Sequence, residues 1–249
     1  MIYELKDVIK VNTIFEGWEE TMIYSCLQNV MGKIYVTDLD NPKSAMAKVG
    51  CFTFYAGEIN KELIITKPDG FVIMVPQNEE WARLIEECFK SARKIIRYAT
   101  KKDTLFSKEY LQSIVDKLPK EFIIKTIDSE IYDRCLLNSF TTDLVSSFET
   151  KEEYLRLGRG KVIMRDLDIL AGASSFSRYK EGIEVEVDTI ESERRKGLAT
   201  AVCAALILDC LNEGLYPSWD AHNLESLHLS KKLGYEFAHE YVAYEVFNR

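Results

Sequence analysis

The run from Val185 to Thr200, VEVDTIESERRKGLAT, brings two kinds of chemistry together. Glu184, Glu186 and Asp188 put carboxylates on one face of a strand, an acidic face opposite an apolar one. A few residues later Arg194, Arg195 and Lys196 lead into Gly197, Leu198, Ala199 and Thr200. That turn opens a helix. The first amides of a helix have no acceptor within it and carry the positive end of its macrodipole, so a pyrophosphate can accept from several of them. Gly197 and Ala199 leave room for a phosphate to approach the backbone, and the three cations add charge.

The elements that must hold this chemistry follow from periodicity. Val185, Val187 and Thr189 alternate with the acidic residues, which predicts a strand with one apolar face. Leu198, Ala201, Val202, Ala205, Leu206 and Leu208 recur at three- and four-residue spacing, which predicts the helix Ala199–Asn212. Before the strand, KVIMRD and ILAGASSFSRY join at Leu167-Asp168 and turn at Lys180-Glu181-Gly182, giving an antiparallel meander. Gly214 stops the helix and LYPSW supplies a strand parallel to the one at Val185. Asn223 caps a last helix that ends at Gly234, and YEFAHEYVAYEVF closes the chain as strand.

Upstream, Phe15, Trp18, Met22, Cys26 and Val30 predict one helix ending at Gly32. KIYVT, VGCFTFYAG (Val49 to Gly57), FVIMVP and KIIRYAT read as strands, Asn78 and Ser107 as helix caps, and DLDNP as a turn. Leu118-Pro119 breaks the pattern and sets the expected boundary between domains 1–119 and 120–249. EFIIKTID then opens a strand, Ser129 caps a helix, and Thr142 to Phe148 and Lys151 to Leu157 are helical. VGCFTFYAG, FVIMVP, the Trp81 helix and KIIRYAT run in the same order as AGASSFSRY, VEVDTI, the Ala199 helix and LYPSW. The fold class is therefore α/β (α+β), with a C-terminal mixed, mostly antiparallel sheet flanked by helices and an N-terminal diverged copy in which Val75 to Asn78 stands for Ile190 to Ala199.

Composition narrows the function. The chain has 249 residues, 47% apolar and 29% charged, without an apolar run of membrane-spanning length. Its start lacks the pattern of a signal peptide, so the expected location is cytoplasmic with no membrane partner. A formal charge of −8 argues against nucleic acid and suits a cationic amine. Cys26, Cys51, Cys88, Cys135, Cys203 and Cys210 show no metal spacing and read as buried, reduced thiols. His222, His228 and His239 all fall near the C-terminus, which leaves the thiols without an evident base.

The order of elements from about Glu121 to Arg249, with the Arg-x-x-Gly-x-Ala turn, resembles the GNAT superfamily of acyl-CoA-dependent N-acetyltransferases. NLESLHLSKKLGYEF, Asn223 to Phe237, is similar to that family's Asn, small residue, Lys-Leu-Gly-aromatic segment. GLYPSWDAHN, with the extra N-terminal domain, resembles the subgroup that includes the zwittermicin A resistance acetyltransferase. The resemblance implies acetyl-CoA as cosubstrate, its pyrophosphate on the amides of Arg195 to Thr200 beside Arg194. It implies backbone groups of Val187 and Thr189 along the pantetheine arm, with Asn223 on the other side. The implied reaction is direct attack of a small-molecule amine on the thioester; a homodimer is the one assembly expected. Glu186 and Glu184 are the expected bases, with Asp188 and Asp220 behind them; Trp219 and Asp220 are expected to line the acceptor pocket. Ser230 stands seven residues after Asn223, where many members carry a Tyr acid, and is expected to hydrogen-bond the sulfur. The alternatives are a catalytically weak acyl-CoA-binding protein and an enzyme acting on peptides or proteins.

Overall fold

The computed structural model describes residues 1–66 and 70–247. The chain divides into two compact units, Met1–Arg97 with Glu240–Arg249, and Tyr98–His239. A boundary at Pro119 is not what the packing draws. The helix before that proline, Lys108–Val115, has Leu111 in the apolar core of the second unit with Ile114 and Val115 packed against it, so it belongs to the element it covers.

In the first unit, β1 (Tyr3–Leu5) precedes α1 (Thr21–Leu27), and β2 (Lys33–Val36), β3 (Ser44–Val49) and β4 (Phe52–Gly57) follow as antiparallel neighbours in the order β1-β2-β3-β4. Then α2 (Lys61–Ile65) leads to β5 (Phe71–Pro76), which lies parallel to β4. Next come α3 (Glu79–Cys88) and β6 (Arg93–Thr100).

Two expectations change here. The stripe from Phe15 to Val30 is not one helix, because Gly17 takes a left-handed φ of 75° and only Thr21–Leu27 is helical. Phe15 is still buried, held by turns. Val49 to Gly57 is not one strand either, since a two-residue turn at Gly50-Cys51 sets Val49 opposite Phe52 and leaves SAMAKV as a separate strand. Other local signals hold: Asn78 Oδ1 accepts from the amides of Glu80 and Trp81, and Ser107 Oγ accepts from that of Tyr110.

In the second unit, α4 (Lys108–Val115) is followed by β7 (Ile123–Thr126), α5 (Ser129–Cys135), α6 (Ser139–Thr142) and α7 (Lys151–Leu157). The meander is β8 (Gly160–Arg165), β9 (Asp168–Tyr179) and β10 (Gly182–Thr189). α8 (Leu198–Asn212) leads to β11 (Tyr216–Ser218), parallel to β10, and β12 (Asp220–Ala221), α9 (Leu224–Lys232) and β13 (Phe237–Phe247) complete the chain. Asp128, not Ser129, caps α5, because its carboxylate reaches the Ile131 amide. Thr142 to Phe148 is turns rather than helix: the Thr141 and Thr142 hydroxyls return to the carbonyls of Cys135 and Asn138 and close the short α6.

α8 is apolar on nearly every side because it is covered on both, by the sheet residues Ile183 and Val185 and by Leu111 of α4. On the opposite sheet face, Leu144 lies over Gly172 and Tyr154 bonds Ser174 at 3.0 Å.

The two units repeat one topology. Four antiparallel strands, a helix and a fifth strand parallel to the fourth give the orders β1-β2-β3-β4-β5 and β11-β10-β9-β8-β7. The correspondence is shifted by one strand from the one read in the sequence. β4 matches β10 rather than β9, since each is the strand that a helix links to a parallel neighbour; the counterpart of Ile190 to Ala199 is therefore the Glu58-to-Lys61 stretch before α2.

Trp81 is fully buried and its Nε1 donates to the Gly57 carbonyl at 3.0 Å. Trp81→Ala is expected to cost about 3–5 kcal/mol through the cavity it leaves, read as a fall in the denaturant midpoint.

Candidate active site

The site is built where β10 and β11 part. The pairing covers only Gly182 to Glu184 against Tyr216 to Ser218. After Trp219 the chain leaves, and β12 pairs with β6, Asp220 opposite Ala99 and Ala221 opposite Tyr98. LYPSW is thus two strand ends around a buried Trp. From Val185 to Thr189, β10 keeps β9 on one side and, among the described residues, has no strand opposite it on the other. The Ile190 amide bonds the Leu170 carbonyl, and in an antiparallel pair alternate residues point the other way. The backbone groups of Val187 and Thr189 therefore face the open side. A β-bulge in the β9 pairing falls at Glu184/Val185, at the start of that open edge, where it re-aims backbone groups.

At the far end of the edge, side chains hold Thr189. Asp188 Oδ1 accepts from its amide at 2.6 Å and Arg194 Nε donates to its carbonyl at 3.1 Å. The Thr189 hydroxyl is buried without a hydrogen-bond partner, as a site for a polar ligand would leave it. The turn follows: Arg195 and Gly197 take left-handed φ values of 64° and 85°, and Arg194 to Gly197 are exposed. The first intrahelical bond runs from Ala201 to the Gly197 carbonyl, so the amides of Leu198, Ala199 and Thr200 have no acceptor within α8. A Cβ on Gly197 would meet nothing within 4 Å. The space a phosphate needs is there.

The cations are less available than the sequence suggests. Lys196 Nζ lies 2.9 Å from the buried Glu193, which Arg165 approaches to 3.3 Å. The Lys196 ammonium holds the Glu193 carboxyl below its usual range. Glu193 was not singled out by sequence, although its spacing of three residues before Lys196 is an ion-pair signal. A cavity of about 410 Å³ opens beside the turn, lined in part by Arg165, Ile190 and Glu193. It lies near the Thr189 end of the strand, about 17 Å along from Glu184 at strand rise.

Glu184 is 3% exposed at the parting point, and Glu186 is half-buried opposite Ser174. Glu184 stands between Ser177 of β9 and Ser218 of β11. Tyr179 lies across Gly182, where a Cβ would be 2.5 Å from its Oη, and its hydroxyl meets Ser218 Oγ at 3.0 Å. Only a glycine lets that ring pass. Trp219 is core rather than pocket wall: it is 1% exposed and its Nε1 donates to Ser226. Asp220 is buried in β12. Asn223 Oδ1 caps α9 through the Ser226 amide, with its Nδ2 beside His222. Ser230 is fully buried and gives its proton to the Leu227 carbonyl at 2.9 Å. Burial raises the thiols of Cys26, Cys135, Cys203 and Cys210, which makes none of them a ready nucleophile.

Gly197→Ala is expected to cost about 1–2 kcal/mol, from the left-handed backbone alone; a thermal melt reads it. Burial raises the Asp188 carboxyl above its usual value. Its native form thus holds a proton more tightly than the unfolded chain, so this residue adds stability as pH falls through its folded pKa and loses it as pH rises. Asp188→Asn keeps an acceptor for the Thr189 amide and is expected to flatten the stability-versus-pH curve just above the ordinary carboxylate range.

Known proteins share this arrangement. The family model for GNAT acetyltransferases matches residues 12–244. A GCN5-related N-acetyltransferase-like protein from Streptococcus suis 89/1591 is 46% identical and superposes with a TM-score of 0.92 over 96% of this chain and 98% of that one. YdfB, an uncharacterised N-acetyltransferase of Bacillus subtilis (strain 168), is 24% identical over 261 residues, 96% of this chain and 95% of that protein. A tandem GNAT protein from the clavulanic acid biosynthesis pathway shares the fold at a TM-score of 0.57 and 10% identity, over 99% of this chain and 98% of that one. The chain therefore belongs to the GNAT acetyltransferase family.

Proposed function

We propose that this acetyltransferase moves the acetyl group of acetyl-CoA to a primary amine of a small molecule by direct attack. The unpaired edge of β10 from Val185 to Thr189 carries the reading. It offers backbone groups to an extended arm over about 17 Å, between a carboxylate at one end and a phosphate turn at the other. The pyrophosphate accepts from amides of Arg195 to Thr200; the arm pairs with Val187, and reaches Thr189 only by displacing Asp188 and Arg194 from its amide and carbonyl, with Asn223 flanking it.

Glu184 is the base we assign, since it sits at the parting point and is the more buried of the two glutamates. Glu186 is the second candidate, on the same strand face toward Ser174. The acidic chain suits a cationic acceptor, and six free cysteines suit a cytoplasmic location. GLYPSWDAHN and the first unit support the narrower likeness to the zwittermicin A resistance subgroup.

A second reading, an acyl-CoA-binding protein of weak turnover, is favoured by Ser230, whose proton is committed to Leu227. Calorimetry with acetyl-CoA, followed by thiol release with a panel of primary amines, separates the two. Turnover of an amine is expected, with kcat reduced about 100-fold or more in Glu184→Gln and less in Glu186→Gln. Micromolar binding with no amine turned over would favour the second reading, and an unchanged Glu184→Gln rate would remove that base.

A further inference from the structure

The cavity of about 410 Å³ lies within the second unit, walled by the tip of the β8–β9 hairpin, the junction of α5 with α6, and the segment from Ile190 to Glu193. Its volume is that of a small-ligand site. β9 occupies this side of β10, with Ala171 opposite Thr189, so the cavity stands away from the open edge and is a separate place from it.

Three kinds of group meet there. Arg134 donates to the Leu167 carbonyl and Arg165 donates to Glu193 at 3.3 Å. All four of these residues line the cavity, so both guanidiniums stand at its wall. Each carries five N–H groups in a planar fork, and most of those donors remain for a ligand. The carboxylate of Glu130, on the outer side of Arg134, is exposed and 3.8 Å away. Asp168 is also in the wall, and among the described residues its carboxylate has no hydrogen-bond or ion-pair partner. Leu137 and Leu167 are 81% and 73% exposed at the rim, with Phe140 in the same wall. Leucines so bare beside a concave polar site mark a surface that a ligand covers.

We propose that this cavity is a binding site for an apolar α-amino acid, separate from the β10 edge. The carboxylate takes the unused donors of Arg134 and Arg165, the ammonium takes Asp168, and the side chain covers Leu137, Leu167 and Phe140. One molecule thus answers every group that the wall leaves open. A phosphate fits less well, because Asp168 and Glu193 repel its second negative charge; a plain carboxylate leaves Asp168 unanswered, and a plain amine leaves the guanidiniums so. By strand rise the site is about 17 Å along from Glu184, so the amino acid held there is not the acceptor. The proposal goes beyond the acetyltransferase reading and does not depend on it.

The test is isothermal titration calorimetry of the full-length protein with L-leucine, L-phenylalanine and L-tryptophan, without acetyl-CoA. At least one is expected to bind at one site per chain. Its analogues lacking the ammonium or the carboxylate are expected to bind about 10-fold more weakly or worse, the worth of a hydrogen bond to a charged group. Asp168→Asn is expected to erase the preference for the ammonium, and Arg134→Gln the preference for the carboxylate, with a thermal melt of each variant confirming its fold. Saturating CoA is expected to leave the amino acid's affinity within about twofold, as for uncoupled sites. No binding of any of the three amino acids, or equal binding of the analogues, overturns the site. Loss of amino-acid binding in the presence of CoA overturns it too, giving the cavity to the cosubstrate. A protein that binds the amino acid but not CoA removes the acetyl-CoA reading alone and leaves this site standing.

Discussion

A strand edge inside a folded protein is costly to leave unpaired, since each bare amide and carbonyl loses a hydrogen bond. The parting of β10 from β11 after Glu184 and Ser218 creates such an edge, and the neighbouring features answer to it. Asp188 and Arg194 take the two outward groups of Thr189, a bulge adjusts the backbone beside Val185, and the strand that left finds β6 instead. The first unit shows the alternative outcome of the same topology. There β4 stays paired with β5, the Gln77 amide extends the ladder to Tyr55, and Gly57 is held by the side chains of Gln77 and Trp81. One copy has filled the gap with its own side chains.

The turn before α8 depends on backbone more than on charge. Arg194 is tied to the strand end and Lys196 to Glu193, so the basic triplet mainly shapes the loop. Two left-handed positions, Arg195 and Gly197 with Lys196 between them, shape the turn into α8. Arg195 adopts that conformation with a side chain that disfavours it, which marks a place where local comfort yields to the geometry of a site.

Much of this was legible in the sequence wherever local physics decides. The alternation of β10, the apolar helix after Gly197 and the caps at Asn78, Ser107 and Asn223 read through because a neighbour a few residues away satisfies each one. What failed to read depended on partners distant in the chain. Trp219 looks like a pocket residue by its place beside Asp220, yet the departure of the strand toward β6 turns it into the core. Ser230 looks like a stand-in for a tyrosine acid until the Leu227 carbonyl is seen to hold its proton. The match between the halves slipped by one strand because parallel and antiparallel neighbours have the same alternation. Tyr179 and Ser218 lie far apart in the chain, and only register across Gly182 joins them.

The division into units also has a bearing on synthesis. β13 pairs with β5, Tyr244 opposite Met74 and Phe247 opposite Phe71, so residues from Glu240 onward complete the first unit, while Tyr98 and Ala99 of β6 serve the second. Each half of the chain gives its last strand to the other half's unit. A ribosome that has released the first hundred residues has therefore not yet released a unit able to finish folding. The Met74 strand must wait, one side open, until Tyr244 to Phe247 emerge, and the two units mature together rather than in order of translation.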